Sequence, residues 1–285
     1  MSLTVTPLSP VFAARLTGVG PVRGLDEAGF ATIRAAFEAH SVLILPGQPM
    51  DDEEQIAFSK RFGPLETTVS ANPARGTVFA RQSNLDIETG EMIAADDRRM
   101  RYQKANMLWH ADSTFKPVSS LCSLLSARIV PPEGGATEFA STRAAYESLS
   151  ADARAELGEL IVEHSLVYSR GLAGFSFTEQ EAAETPPARH RLVRTNPATG
   201  RKSLLIGAHA SRIVGWPLEK GRALLADLLA RATRPRHTWR HEWQEGDLVI
   251  WDNRSALHRA TPYDATRHRR LMQRITVSSG EPAEA

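Results

Sequence analysis

Short apolar runs fenced by turn-forming residues constrain this chain more than anything else: Leu121–Val130, Arg191–Thr195, Ser203–Ile206, Asp247–Trp251 and Leu271–Val277. Runs this short and this apolar read as strands. Asn196-Pro197-Ala198-Thr199-Gly200 has the composition of a tight turn and joins two of them into a hairpin. Helices are few. Phe30, Ile33 and Phe37 follow the N-cap candidate Asp26 at helical spacing, which predicts a helix from about Asp26 to His40. Ser41–Leu45 then reads as a buried strand stopped by Pro46-Gly47. Asp51–Phe62 carries four acidic residues in its first turn and Gly63 beyond its end, and Leu218–Thr233 places Leu225, Leu228 and Leu229 on one stripe. Many short strands with peripheral helices predict a mainly β fold, a double-sheet jelly roll of the cupin-like, double-stranded β-helix type rather than a wound parallel sheet. No internal repeat is visible.

With 285 residues the chain is long enough to bury a large core without a structural metal or disulfide, so any metal it holds is there for chemistry. A single domain over residues 1–285 is expected. Basic and acidic residues balance at 34 against 33, which gives no reason to expect a nucleic-acid or acidic-membrane partner. Cys122 is the only cysteine and sits in an apolar run, so it reads as a small buried thiol. No secretory leader and no membrane-length apolar window is apparent, and the expected location is cytoplasmic. Two polar stretches with little periodicity, about 66–106 and 169–190, are the expected mobile lids over a site.

The chemistry concentrates in Trp109-His110-Ala111-Asp112-Ser113. On an extended strand, residues two apart share a face, so His110 and Asp112 could converge on one ion. His-x-Asp alone is weak, since a hydrogen-bonded structural pair explains most such tripeptides. A third ligand candidate, His258, follows the strand Asp247–Trp251 and a polar turn. Two histidines and a carboxylate typify non-haem Fe(II) oxygenases, whose open coordination face takes a co-substrate and oxygen. Arg269 and Arg270 lie 11 and 12 residues beyond His258. 2-Oxoglutarate chelates iron through its C1 carboxylate and keto oxygen, which leaves its C5 carboxylate for a guanidinium fork that lysine cannot reproduce.

These residues belong to a wider pattern. Phe58-Ser59-Lys60-Arg61-Phe62-Gly63-Pro64, Trp109–Phe115, Gly134-Gly135-Ala136-Thr137, Trp251–Arg259 and Arg269-Arg270-Leu271-Met272-Gln273-Arg274 occur in this order along nearly the whole chain. Together they resemble the taurine/2,4-dichlorophenoxyacetate dioxygenase family of Fe(II)/2-oxoglutarate enzymes. The stretches Arg194–Lys202 and Leu205–Ser211 resemble its aryloxyalkanoate branch most. The resemblance implies a jelly-roll core and iron ligation by His110, Asp112 and His258. It implies co-substrate binding by Thr137 and by Arg270, with Arg269 as the alternative because the spacing from His258 is about one residue longer than in some relatives. It implies substrate contact by Arg274 and Asn106, to which His209 is added for its Ala-His-Ala setting. Fe(II), 2-oxoglutarate and O2 are the implied cofactors, with a small carboxylate as substrate, and a homo-oligomer is compatible with the family. The implied reaction decarboxylates 2-oxoglutarate to succinate and CO2 while hydroxylating a C–H. At a carbon bearing an aryl ether oxygen, the product collapses to a phenol and an oxo acid. Two competing readings are a taurine or alkylsulfonate dioxygenase of the same family and a cupin-type metal hydrolase, which has no use for Thr137 with Arg270.

Overall fold

The computed structural model describes residues 3–69, 76–86 and 88–280. Its strands, in chain order, begin with β1 (Thr4–Pro7), β2 (Ala14–Thr17), β3 (Val42–Leu45), β4 (Phe79–Ser83), β5 (Ser120–Ile129), β6 (Thr137–Ser141), β7 (Ile161–His164) and β8 (Ala188–Arg191). They continue with β9 (Val193–Thr195), β10 (Lys202–Leu204), β11 (Ala210–Ile213), β12 (Thr238–His241), β13 (Leu248–Asp252), β14 (Ala256–Ala260) and β15 (Leu271–Ser278). Seven form one sheet in the order β1-β2-β3-β13-β5-β15-β4, and a three-stranded sheet, β12-β6-β14, faces it. A second small sheet, β11-β7-β8, and the hairpin β9-β10 extend the molecule on the far side.

Alternation along the central strands explains the layering. Val42 and Ile44 of β3, with Val249 and Trp251 of β13, point between the sheets and meet Phe139 and Ala256 of the smaller one. Their neighbours Leu43, Leu45, Leu248 and Ile250 point the other way, onto Ile33, Phe37 and Phe58 of two covering helices. Both faces are buried, so these strands read as unbroken apolar runs. The covering helices, Glu27–His40 and Asp52–Lys60, start where their caps dictate. Asp26 accepts from the Gly29 N–H, and Asp51 forms a reciprocal capping box with Glu54. The helix Leu218–Ala232 lays Leu225 and Leu228 over the outer side of the small sheets, near Ala140 and Leu257. This is the expected jelly-roll core with peripheral helices. Cys122 is fully buried, and burial pushes its thiol up.

Two expectations change. The segment 66–106 is not wholly irregular: β4 pairs with β15 at the sheet edge, and Arg98–Gln103 is helical. The strand escaped the hydrophobic pattern because Phe-Ala-Arg-Gln-Ser is half polar, as edge positions tolerate. The segment 169–190 likewise ends one helix, Leu166–Leu172, holds another, Glu179–Ala183, and enters β8. No helix among the described residues is long and apolar enough to cross a membrane.

A pH dependence follows from β7 and β8. His164 is wholly buried with neither ring nitrogen hydrogen-bonded, its ring 5.5 Å from that of His190. Burial, and then the charge of His190, bring it down to about 3. The unfolded chain takes this proton near pH 6.5 and the folded one does not, so stability is complete above that value and lost as pH falls toward 3. The loss approaches about 1.4 kcal/mol per pH unit within this window. His164→Leu is therefore expected to flatten the fall in Tm between pH 6.5 and 4.5, and parallel Tm curves for the two proteins would refute it.

Candidate active site

The metal-binding candidates sit where a loop docks on the edge of the small sheet. His258 is central in β14, opposite Phe139 of β6. His110 joins it through one antiparallel bridge, with His110 N–H donating to the His258 carbonyl at 3.1 Å and the reverse bond at 2.8 Å. The expected strand through His110 and Asp112 does not form. The chain turns immediately, with Ser113 in the left-handed region at φ 56°. Convergence survives because the turn is held from all sides. The Asp112 N–H donates to Asn253 Oδ1 at 3.0 Å, and Ser120 Oγ donates to the Asp112 carbonyl at 2.7 Å. The ligand atoms of His110, Asp112 and His258 consequently lie within 4.8 Å of one another.

Protonation suits a metal. Burial first, against the pull of Asp112, brings His110 down to about 4, and burial takes His258 well below the ordinary histidine value. Both are neutral at pH 7. His110 Nδ1 lies 2.7 Å from the Leu108 carbonyl, so that nitrogen carries the proton and Nε2 keeps its lone pair. Nε2 of His110 and of His258 lie 3.9 and 3.7 Å from the Asp112 carboxylate oxygens. Burial alone would raise Asp112, but Arg274 and the two imidazoles outweigh it and hold the carboxyl below the usual range. Arg274 Nη1 donates to Asp112 Oδ1 at 2.5 Å, and Ser123 Oγ to Oδ2 at 2.7 Å. Two lone-pair imidazole nitrogens and an ionised carboxylate on one side are a donor set that fits a divalent iron. Because Ser123 also accepts from Asn253 Nδ2 at 3.0 Å, it orients Asp112 rather than merely filling space. Ser123→Ala is expected to weaken Mn(II) binding about 10- to 100-fold in a titration followed by electron paramagnetic resonance; unchanged affinity would show the carboxylate is positioned without it.

Two cavities meet at the triad and share Asn106, His110 and Arg274 in their walls. One adds Thr137, Trp251, His258, Gln82 and Arg270. Arg270 is 6% exposed and donates to the backbone carbonyls of Gln82 at 3.1 Å and Gly135 at 3.3 Å; its Nε has no partner. No carboxylate pairs with it among the described residues, and burial draws the guanidinium down to about 10, so it stays charged at neutral pH. Arg269 is exposed and donates to the Gly90 carbonyl, outside the cavity. The turn that delivers Thr137 leaves no room for side chains. A Cβ on Gly134 (φ 74°) would stand 2.6 Å from the Pro262 carbonyl, and one on Gly135 (φ 67°) 3.3 Å from Arg270 Nε. Thr137 Oγ1 accepts from Trp243 Nε1 at 3.0 Å.

The other cavity takes in Asp112, His209, Tyr102 and Arg170. His209 is buried with its ring edge-on to His110, centroids 6.0 Å apart. Asn106 donates to Gln82 Oε1 at 2.6 Å and accepts from Arg170 at 3.3 Å, linking the two cavities. Every site residue expected from the sequence except Arg269 thus borders these cavities. Gln82, Ser123, Arg170 and Asn253 were not foreseen. They come from separate elements, and no local spacing signals them.

A jelly roll carrying two histidines and one carboxylate, with the open side of the triad on a cavity, is the architecture of a non-haem iron oxygenase. The sequence model described as "Taurine catabolism dioxygenase TauD, TfdA family" matches residues 4–276, and the chain belongs to that family. Among curated relatives, the alpha-ketoglutarate-dependent 2,4-dichlorophenoxyacetate dioxygenase of Cupriavidus pinatubonensis is 41% identical over 97% of this chain and 98% of its own length. The (S)-phenoxypropionate/alpha-ketoglutarate-dioxygenase of Sphingobium herbicidovorans is 38% identical over 98% and 96%. A crystal structure of AAD-2 with Mn(II) and N-oxalylglycine superposes with a TM-score of 0.91 at 38% identity, covering both chains completely.

Proposed function

We propose that this chain is an Fe(II)- and 2-oxoglutarate-dependent dioxygenase that hydroxylates a small aryloxyalkanoate, which then falls apart to a phenol and an oxo acid. The observation carrying this is the buried Arg270 guanidinium, unpaired with any carboxylate among the described residues, in a cavity that opens on the triad. A cation in that setting calls for an anionic ligand, since burial without one is expensive. A cupin-type hydrolase would leave it without purpose. Two relatives named for 2,4-dichlorophenoxyacetate and (S)-phenoxypropionate favour an aryloxy acid over a sulfonate.

His110, Asp112 and His258 would hold the iron. With 2-oxoglutarate and O2 it supplies the oxidation, in which decarboxylation to succinate and CO2 accompanies replacement of a substrate C–H by C–OH. The chain's own groups do the rest. The Leu108 carbonyl keeps the His110 proton on Nδ1, away from the ligand side. Arg270 and the Thr137 hydroxyl anchor the C5 carboxylate of the co-substrate, and Arg269 stays outside. Arg274, Asn106 and His209 face the organic substrate, with Arg274 also steadying Asp112. From the two polar segments, Glu66, Tyr102, Asn106 and Arg170 wall the cavity, and a substrate fixed there would present one C–H to the metal.

The test is turnover with Fe(II), 2-oxoglutarate and O2 on aryloxyacetates, aryloxypropionates and taurine, with succinate, phenol and sulfite measured. Equimolar succinate and phenol from an aryloxy acid is the expected result. Sulfite from taurine with no phenol would discard the substrate class, and no succinate under any condition would discard the dioxygenase.

A further inference from the structure

We infer that Arg170 seats the carboxylate of the organic substrate, in the cavity adjoining the one whose arginine takes the co-substrate. This rests on the dioxygenase reading and adds the residue that makes the enzyme select anions. Arg170 lies near the end of the helix Leu166–Leu172 and is 8% exposed. Its guanidinium carbon stands 4.2 Å from the ring centre of Tyr102, and Nη1 reaches Asn106 Oδ1 at a long 3.3 Å. Its Nε is buried with no hydrogen-bond partner, and it makes no ion pair with any described residue.

Charge balance within the cavity singles it out. Among the described residues lining that cavity, the acids are Glu66 and Asp112. Lys116 Nζ takes Glu66 at 2.6 Å, and Arg274 takes Asp112. Arg170 is the third cation and has no acid, so the cavity carries one positive charge in surplus, matching a monoanion. If packing were its only purpose, an uncharged side chain could lie on Tyr102 without the desolvation of a buried cation. Stacking on the ring instead fixes the plane of the fork, which suits bidentate capture of a carboxylate. The Asn106 contact ties that fork to Gln82, whose carbonyl holds Arg270, so both anion seats share one scaffold.

The decisive experiment compares phenoxyacetate with its neutral analogue phenoxyacetamide on protein loaded with Mn(II) and N-oxalylglycine, with affinity read from paramagnetic relaxation of the ligand protons. The unaltered protein is expected to prefer the acid by about 30-fold or more. Arg170→Gln is expected to weaken the acid about 10- to 100-fold, leave the amide within about threefold and leave N-oxalylglycine affinity and Tm unchanged. Arg170→Lys, which keeps the charge without the fork and guards against loss of fold in the glutamine variant, is expected to lose about fivefold or more on the acid alone. Equal weakening of acid and amide in either variant would make Arg170 a structural strut and overturn the inference. Equal affinity of the unaltered protein for acid and amide overturns it while leaving the dioxygenase reading intact. Binding of neither ligand overturns the inference together with the aryloxy substrate class, and retained N-oxalylglycine binding then keeps the 2-oxoglutarate site.

Discussion

Arg270→Met is expected to raise the KM for 2-oxoglutarate by about 100-fold or more while leaving the metal-free protein at least as stable as before. The two effects come from one fact. The guanidinium is buried against the Gln82 and Gly135 carbonyls with Nε unpaired and no carboxylate in reach among the described residues. Without co-substrate it is a desolvated cation with two of its five donors used, and an uncharged methionine removes that desolvation cost, which offsets the two carbonyl bonds it gives up. With co-substrate, two charge-assisted bonds to the C5 carboxylate are lost, each worth roughly 1.5–3 kcal/mol. N-oxalylglycine should therefore raise the Tm of the unaltered protein and not that of Arg270→Met. Arg270→Lys should fall between, since it retains charge without the fork. A metal-free Tm lowered by many degrees would instead make Arg270 a bridge between two carbonyls, with substrate binding secondary.

Why the metal ligands could be read from sequence and the anion seats only partly is a matter of distance along the chain. His110 and Asp112 sit in one tripeptide, and His258 follows a strand, β13, whose apolar run is unmistakable because both its faces are buried. Arg270 and Arg269 are adjacent, and only the direction each takes on entering β15 separates them: Arg270 turns inward, and Arg269 turns out to Gly90. Spacing carries no such information. Arg170 meets Asn106 across 64 positions and Gln82 meets Asn106 across 24, from segments whose polarity reads as loop. A residue that walls an active site from an edge strand or a short helix keeps its polarity for the ligand, and that polarity hides the element from a hydrophobic pattern. The turn after His110 illustrates the converse. His-Ala-Asp alternates like a strand, but Asn253, 141 positions away, and Ser120, eight residues on at the start of β5, capture the Asp112 backbone and bend it.

His110→Ala and Asp112→Ala are both expected to abolish turnover, by about 1000-fold or more, yet to differ sharply in the metal-free protein. Either removes one of three ligands, and with it the visible charge-transfer band of the anaerobic Fe(II)/2-oxoglutarate complex. His110 is neutral in the fold, so its loss strands no charge. Asp112 is the carboxylate against which Arg274 lies, the arginine side chain being only 15% exposed, and its removal leaves that cation buried without an acid. Breaking a buried pair from one side costs about 3 kcal/mol, which for a chain of this size lowers Tm by roughly 5–10 °C. Adding Arg274→Met to Asp112→Ala should recover much of that loss while restoring no activity, because the cation is removed along with its missing partner. Thermal melts of the metal-free single and double variants decide it. If Asp112→Ala melts no lower than His110→Ala, the Arg274–Asp112 contact contributes nothing to the fold, and Arg274 is free to turn wholly toward substrate. If the double variant melts lower still, the two side chains stabilise the protein through separate neighbours: Ser123 for the carboxylate and the walls of both cavities for the arginine.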